Sequence, residues 1–98
     1  MRAISLFACV YVLELEGDEK YDAYFYVGCT HSLNLRLSNH IAGLGANWTK
    51  LHAFKSICEV RMVIEGSAFD LENSVTLEYI SKFSAGADRV RGGKFVRV

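Results

Sequence analysis

The chain has 98 residues, and its composition and charge limit both its size class and the ligands it can attract by charge alone. With 51% hydrophobic and 22% charged residues, it has the composition of one globular domain, residues 1–98, and not that of a disordered chain. Eleven Lys and Arg residues balance eleven Asp and Glu residues, which excludes the strongly basic balance typical of nucleic-acid-binding domains. Any nucleic-acid contact must therefore come from a local group of cations.

The cysteines, the N-terminus and the apolar stretches bear on the cellular compartment. Cys9, Cys29 and Cys58 are odd in number and lie outside zinc-ligand spacings, which predicts reduced thiols in the cytoplasm or nucleus. Residues 1–8 run directly into an alternating segment, so a signal peptide is the weaker interpretation. The apolar stretches are interrupted by charges and fall short of the roughly 20 residues of a membrane helix, so no membrane association is expected.

Residues 6–16 and 24–29 predict two strands of an antiparallel hairpin. The first segment ends in apolar and polar alternation, and the second is rich in aromatic and β-branched residues. Residues 17–20, Gly-Asp-Glu-Lys, supply the turn between them. Tyr11 and Tyr26 are therefore expected on neighbouring strands.

The spacing of apolar residues predicts a helix over residues 32–42. Its core stripe is Leu33, Leu37 and Ile41. Gly43 ends the helix. Arg36 and His40, four positions apart, share the adjacent face.

The remaining elements follow in the order loop, strand, helix and tail. Residues 43–47 are glycine-rich, and residues 48–52 are predicted as a surface loop. Alternation over residues 58–64 predicts a third strand, and apolar spacing from residue 67 predicts a second helix ending near residue 84. Residues 89–94 form a basic, glycine-containing tail. The predicted order is β-β-α-β-α plus tail.

An ordered series of reactive groups spans these elements. It consists of Tyr11, Tyr26, Arg36, His40 and Glu72. Cleavage of a phosphodiester needs a proton acceptor for the attacking oxygen and positive charge against the negative charge that develops. Taken singly, such tyrosines are more often core aromatics, and such helix residues are more often a solvated face.

Several motifs in this order resemble the GIY-YIG nuclease family. They are Cys9-Val10-Tyr11, Tyr26-Val27-Gly28, Arg36-x-x-x-His40, Gly43-x-Gly45-Ala46-x-Trp48-Thr49, Glu72 and Val90-Arg91-Gly92-Gly93. The resemblance runs from about residue 8 to about residue 95, nearly the whole chain. Each motif is weak alone, and the combination is specific.

The resemblance implies an α+β fold, with a small three-stranded antiparallel sheet flanked by helices. It implies an endonuclease that hydrolyses DNA phosphodiester bonds with Mg²⁺ or Mn²⁺. The catalytic residues by resemblance are Tyr11, Tyr26, Arg36, His40 and Glu72, with Glu72 as the metal ligand. DNA is the expected partner, and a protein that targets the nuclease is a second.

Some positions depart from the family pattern. Cys9 replaces the glycine that opens the first motif, Cys29 stands where many members carry lysine, and no asparagine follows Asn73. The neutral charge and the missing lysine and asparagine favour an alternative, a nucleic-acid-binding module that keeps the fold without cutting. Glu78, on the same predicted helix, is an alternative to Glu72 as the catalytic acid.

Four basic residues are candidates for contacts with nucleic-acid phosphates. They are Lys50, Arg89, Arg91 and Lys94. Local cations of this kind could neutralise a few phosphates, although a solvated charge run has the same sequence pattern.

Overall fold

The structure, a computed structural model, describes residues 7–93. Within them four strands form one mixed sheet in the order β3-β1-β2-β4. The strands are β1 (Phe7–Glu16), β2 (Ala23–Thr30), β3 (Phe54–Ile64) and β4 (Val90–Gly92). The helices are α1 (Leu33–Ile41), α2 (Asn47–Leu51), α3 (Ala68–Lys82) and α4 (Gly86–Arg89), and a 3₁₀ turn at Glu65–Ser67 precedes α3. The α+β class is confirmed.

The prediction of a three-stranded antiparallel sheet is wrong, because a fourth strand adds to it in the parallel direction. The three predicted strands do form, and β1 pairs antiparallel with both β2 and β3. Strand β4 pairs parallel with β2, where Phe25 lies opposite Val90. Strand β4 has three residues, too few to show strand alternation in the sequence. It forms because Val90 is buried in the folded protein, at 1% exposed.

The β1–β2 hairpin is confirmed, and Asp18 orders its turn. One carboxylate oxygen, Oδ1, accepts the backbone N–H groups of Lys20 at 2.9 Å and Tyr21 at 3.1 Å. The other, Oδ2, accepts the Tyr24 hydroxyl at 2.6 Å. The turn fixes the register, and a shift of one residue would turn every side chain of a strand to the opposite face.

Strand β1 is covered on both faces of the sheet, whereas the edge strand β3 is largely exposed. One face packs against α3 through Val10, Val12, Phe25, Val27, Val75, Tyr79 and Val90. The other face carries Tyr11, Leu13, Leu15, Tyr24, Tyr26 and Trp48, packed against Leu33 and Leu37 of α1. In the resulting register Tyr11 lies opposite Gly28 and Leu13 lies opposite Tyr26, so the two tyrosines share this second face.

The predicted surface loop at residues 48–52 is wrong, because residues 47–51 form the short helix α2. Trp48 is 6% exposed, and its Nε1–H donates to the Phe25 carbonyl at 2.9 Å. A helix of five residues cannot show a helical period in the sequence. The burial of Trp48 against the sheet stabilises it instead.

Helix α1 buries a different stripe from the one predicted. Leu33 and Leu37 pack against the sheet as expected, but Ile41 is 61% exposed. His40 takes the third buried position at 1% exposed, which completes an i, i+4, i+7 stripe. Gly43, at φ +76°, follows the helix as predicted. Within residues 7–93 no helix is long and apolar enough to cross a membrane.

Candidate active site

Three of the predicted catalytic side chains meet on the sheet face that carries α1 and α2. Tyr11 of β1, Tyr26 of β2 and His40 of α1 are all at least nine-tenths buried. The His40 ring lies 5.8 Å from the Tyr11 ring and 5.2 Å from the Tyr26 ring, between centroids. Arg36, one helical turn before His40, is close enough to lower the pKa of both tyrosines. The structure thus brings together four residues that the sequence spreads over 30 positions, from Tyr11 to His40.

Two glycines of the predicted motifs make room for these rings. Gly28 lies opposite Tyr11 across the β1–β2 pair, and a Cβ at position 28 would overlap the Tyr11 phenol. Gly45 lies against His40, where a Cβ would overlap Nδ1 of the imidazole. Both glycines are therefore required by close approach to a site residue.

The variant Gly28→Ala is expected to lose stability because its methyl group must displace the buried Tyr11 ring. We expect a loss of about 1–3 kcal/mol in the free energy of unfolding, measured by urea denaturation. Gly66→Ala is the matched control, because a Cβ at Gly66 meets no atom within 4 Å. Equal stability of the two variants would contradict the packing of Tyr11 against Gly28.

A chain of hydrogen bonds runs from Tyr11 through His40 to Thr49 of α2. The Tyr11 hydroxyl and His40 Nε2 are 2.8 Å apart, and His40 Nδ1 and Thr49 Oγ1 are 3.0 Å apart. Thr49 was not among the predicted site residues, because a lone threonine in an apparent surface loop carries no chemical signal. Its place in the Gly43-to-Thr49 motif, four residues after Gly45, is the sequence feature that could have identified it.

The electrostatics of the pair keep both groups neutral near pH 7. Burial, helped by the neighbouring Tyr26, raises the pKa of Tyr11 well above its usual 10, and Arg36 offsets this only in part. Burial and the Arg36 charge lower the pKa of His40 to about 4. The neutral phenol of Tyr11 therefore faces the neutral imidazole of His40. A neutral imidazole can accept a proton.

The lowered pKa of His40 makes stability depend on pH. The unfolded chain binds a proton at His40 below about pH 6.5, whereas the folded protein resists it until about pH 4. The contribution of neutral His40 to the free energy of unfolding is therefore fully present above about pH 6.5. It is lost as the pH falls from about 6.5 to about 4. We expect the free energy of unfolding to fall by on the order of 3 kcal/mol across this window.

Urea denaturation at several pH values checks this expectation. Burial also lowers the pKa of His52, which adds a fall in the same direction. His40→Gln is therefore the informative comparison, because it removes only the part due to His40. The same pH dependence in wild type and His40→Gln would contradict the neutral, buried state of His40.

Glu72 of α3 lies within electrostatic reach of this cluster, whereas Glu78 lies apart from it. The Glu72 carboxylate acts electrostatically on Tyr11 and Tyr26, and Arg36 in turn lowers its pKa. Burial is the largest effect and raises the pKa of Glu72. A hydrogen bond that the carboxylate accepts from the Gly93 N–H, together with the Arg36 charge, lowers it by a smaller amount.

Glu78 instead forms an ion pair on the opposite side of the sheet. Its two carboxylate oxygens accept Arg61 Nη1 at 3.2 Å and Nη2 at 3.0 Å. This pair lines an open groove between β3 and α3, together with Glu59 and Lys82. The geometry therefore favours Glu72 over Glu78 as the acid of the site.

The donor atoms at Glu72 fit a hard divalent cation. In residues 7–93 no three His, Cys, Asp or Glu side chains come together as a metal-binding group. Mg²⁺ keeps several water ligands and is commonly held through one or two carboxylates, so a single Glu72 carboxylate is compatible with it. Cys29 also lies near this carboxylate, and burial together with the Glu72 charge raises the pKa of the thiol. The position at which the resemblance to GIY-YIG nucleases leads one to expect a lysine is therefore uncharged here.

The predicted phosphate-binding cations do not form one group. Arg91 lies opposite Tyr26 in the sheet, with its guanidinium 4.3 Å from the Trp48 ring centroid. Lys50 on α2 is exposed. Lys94 lies outside the described residues.

Arg89 is held by hydrogen bonds within the protein and is not free to contact phosphates. Its side chain is 10% exposed, Nη2 donates to Asp22 at 2.7 Å, and Nε donates to the Ala23 carbonyl at 3.0 Å. These bonds join α4 to the start of β2.

Cys9 lies on the sheet with its thiol against a neighbouring strand. Cys9 lies on β1 between Thr30 and Met62 of the neighbouring strands, and its Sγ donates to Met62 Sδ at 3.5 Å. Cys9, Cys29 and Cys58 are all free thiols.

Comparisons of the chain with protein-family models, with curated proteins and with solved structures found no match. A functional assignment therefore rests on the motifs and on the geometry of this site.

Proposed function

We propose that this protein is a metal-dependent DNA endonuclease of the GIY-YIG type that hydrolyses phosphodiester bonds. The hydrogen bond between Tyr11 and His40, at 2.8 Å inside a buried cluster flanked by Arg36 and Glu72, is the observation that carries the proposal. A phenol, an imidazole, a guanidinium and a nearby carboxylate are the groups that this reaction needs. A solvated helix face would not bury His40 against Tyr11.

Tyr11 and His40 together handle the proton of the attacking water. The Tyr11 oxygen accepts a proton from water while its own proton passes to His40 Nε2, so the buried phenol never carries a full negative charge. This route is consistent with the raised pKa of Tyr11. A phosphate bound at Arg36 adds negative charge that favours the protonated imidazole formed in this step.

Arg36 and Tyr26 hold the phosphate. The guanidinium of Arg36 is permanently charged and presents a planar fork of N–H donors that matches phosphate oxygens. Tyr26 offers a hydroxyl on the same face of the sheet. The centroid of its ring lies 6.3 Å from that of the Tyr11 ring. Glu72 would hold Mg²⁺ or Mn²⁺, which supplies Lewis-acid stabilisation of the developing negative charge.

The charges available for DNA binding are few. Among the described cations, Lys20, Lys55, Arg61 and Arg89 form ion pairs with acidic side chains. Arg36, Lys50 and Arg91 form no ion pair within residues 7–93 and are the groups proposed to contact phosphates, with Lys94 as a further candidate outside that range. Binding by so few cations is weak and depends only shallowly on salt.

Two alternatives are each favoured by one observation. The uncharged Cys29 at the family's lysine position favours a nucleic-acid-binding module with little or no cutting activity. The row of exposed apolar side chains on the edge strand β3, among them Val60, Met62 and Ile64, favours a nuclease subunit targeted by a partner protein.

A panel of DNA substrates tests the proposal. Supercoiled, branched and single-stranded DNA are incubated with the protein in Mg²⁺, Mn²⁺ or EDTA. We expect cutting of at least one substrate in the presence of metal and none in EDTA. Binding without cutting of any substrate would replace the proposed function with the binding module.

A further inference from the structure

The buried hydroxyl of Thr49 lies where it can decide which nitrogen of His40 carries the hydrogen. Thr49 Oγ1 is 3.0 Å from His40 Nδ1 and 2.8 Å from the Ala46 carbonyl oxygen. Thr49 is 3% exposed and His40 is 1% exposed, so water does not compete for these atoms. We infer that Thr49 is a positioning residue that holds His40 in the Nδ1–H tautomer and keeps Nε2 free to accept the Tyr11 proton.

Hydrogen-bond accounting leads to this tautomer. A threonine hydroxyl has one hydrogen, and a carbonyl oxygen can only accept. The 2.8 Å contact with Ala46 therefore places the Thr49 hydrogen on that carbonyl. Thr49 Oγ1 can then only accept from His40, so Nδ1 carries the hydrogen of the neutral ring. If Thr49 instead donated its hydrogen to His40 Nδ1, Thr49 Oγ1 and the Ala46 carbonyl oxygen would lie 2.8 Å apart with no hydrogen between them.

The neutral imidazole has one N–H group, so Nε2 is left with a lone pair. The Tyr11 hydroxyl, 2.8 Å away, donates to that lone pair. The direction of the whole chain is thereby set, from Tyr11 to His40, from His40 to Thr49 and from Thr49 to Ala46. The opposite tautomer would place a hydrogen on Nε2, and His40 could then accept nothing from Tyr11.

The local fold brings Thr49 close to the His40 ring. Gly45 approaches His40 so closely that a Cβ there would overlap Nδ1. Helix α2 starts two residues later and turns Thr49 toward the imidazole, with its N–H bonded to the Ala46 carbonyl at 3.0 Å. The absence of a side chain at Gly45 thus leaves room for the Thr49 hydroxyl at Nδ1. The effect on cleavage rests on the proposed function, whereas the tautomer itself does not.

Nitrogen-15 NMR of the histidine rings in the intact protein measures the tautomer directly. His40→Gln identifies the His40 signals among those of His31 and His52 by their loss. We expect the wild-type spectrum near pH 7 to show a protonated Nδ1 and an unprotonated Nε2. A protonated Nε2 in the wild type would overturn the inference, whatever the variants do.

Two substitutions then test the role in cleavage. Thr49→Val removes the hydroxyl at nearly constant shape, and Thr49→Ser keeps the hydroxyl. We expect Thr49→Val to mix the tautomers and to lower kcat by about 10-fold to 100-fold with little change in KM, and Thr49→Ser to stay near wild type. Thr49→Val with wild-type tautomer and wild-type kcat would overturn the inference.

Failure of the proposed function gives a different pattern. A wild-type protein that cuts no DNA contradicts the nuclease assignment, while its NMR spectrum still decides the tautomer. Should Thr49→Val not fold, the wild-type spectrum and the Thr49→Ser variant carry the test.

Discussion

Replacing Glu72 with glutamine is expected to lower the rate of DNA cleavage by about 10³-fold or more, because the proposed metal site would lose its carboxylate. The fold should be retained, since burial already raises the pKa of Glu72 and disfavours its charge. DNA affinity should stay similar or rise slightly, because a negative charge near the phosphate is removed. Plasmid nicking in Mg²⁺ and DNA binding in EDTA measure the two effects separately.

Glu78→Gln is the matched control for that variant. Glu78 lies on the same helix, but it pairs with Arg61 in the groove between β3 and α3. Its pairing is exposed to solvent, so its loss should cost little stability. We expect wild-type cleavage from Glu78→Gln. If Glu78→Gln lost activity and Glu72→Gln kept it, Glu78 and not Glu72 would be the catalytic acid.

The second large effect is expected for Tyr11→Phe, which should slow cleavage by about 10²-fold or more. The substitution removes the oxygen that accepts the proton of water and leaves the buried His40 Nε2 without its donor. The stability loss should be about 1–3 kcal/mol, since one buried hydrogen bond is broken. Single-turnover cleavage and thermal denaturation measure the two effects.

Tyr24→Phe separates the chemical effect from a general effect of losing a buried hydroxyl. Tyr24 lies on the same face of the sheet, and its hydroxyl donates to Asp18 in the hairpin turn. We expect a loss of about 1 kcal/mol in stability and nearly full activity. A Tyr11→Phe protein that is folded and cuts at the wild-type rate would rule out the role of Tyr11 in proton transfer.

The sequence predicts those parts of the fold that have a visible period. The alternation in β1 and the turn residues 17–20 predict the hairpin, and with it the neighbouring positions of Tyr11 and Tyr26. Strand β4 and helix α2 have three and five residues and show no period. They form because Val90 and Trp48 are buried against the sheet, which is tertiary information.

The candidate site is predictable only in part for the same reason. The spacing of Arg36 and His40 predicts one shared helix face, but not that α1 turns His40 into the sheet and leaves Ile41 exposed. Spacing also leaves Glu72 and Glu78 as alternatives until the position of α3 is known. The role inferred for Thr49 depends on two distances across a loop that no pattern in the sequence encodes.

Cleavage of DNA in water enriched in oxygen-18 tests the central claim most directly. Under single-turnover conditions with Mg²⁺, hydrolysis by an activated water places one heavy oxygen on the phosphate of the new DNA end. Mass spectrometry of the cut end measures it. We predict a metal-dependent cut whose phosphate carries the label. No cut in Mg²⁺ or Mn²⁺, or a cut whose phosphate carries no label, would contradict the assignment of this protein as a hydrolytic endonuclease.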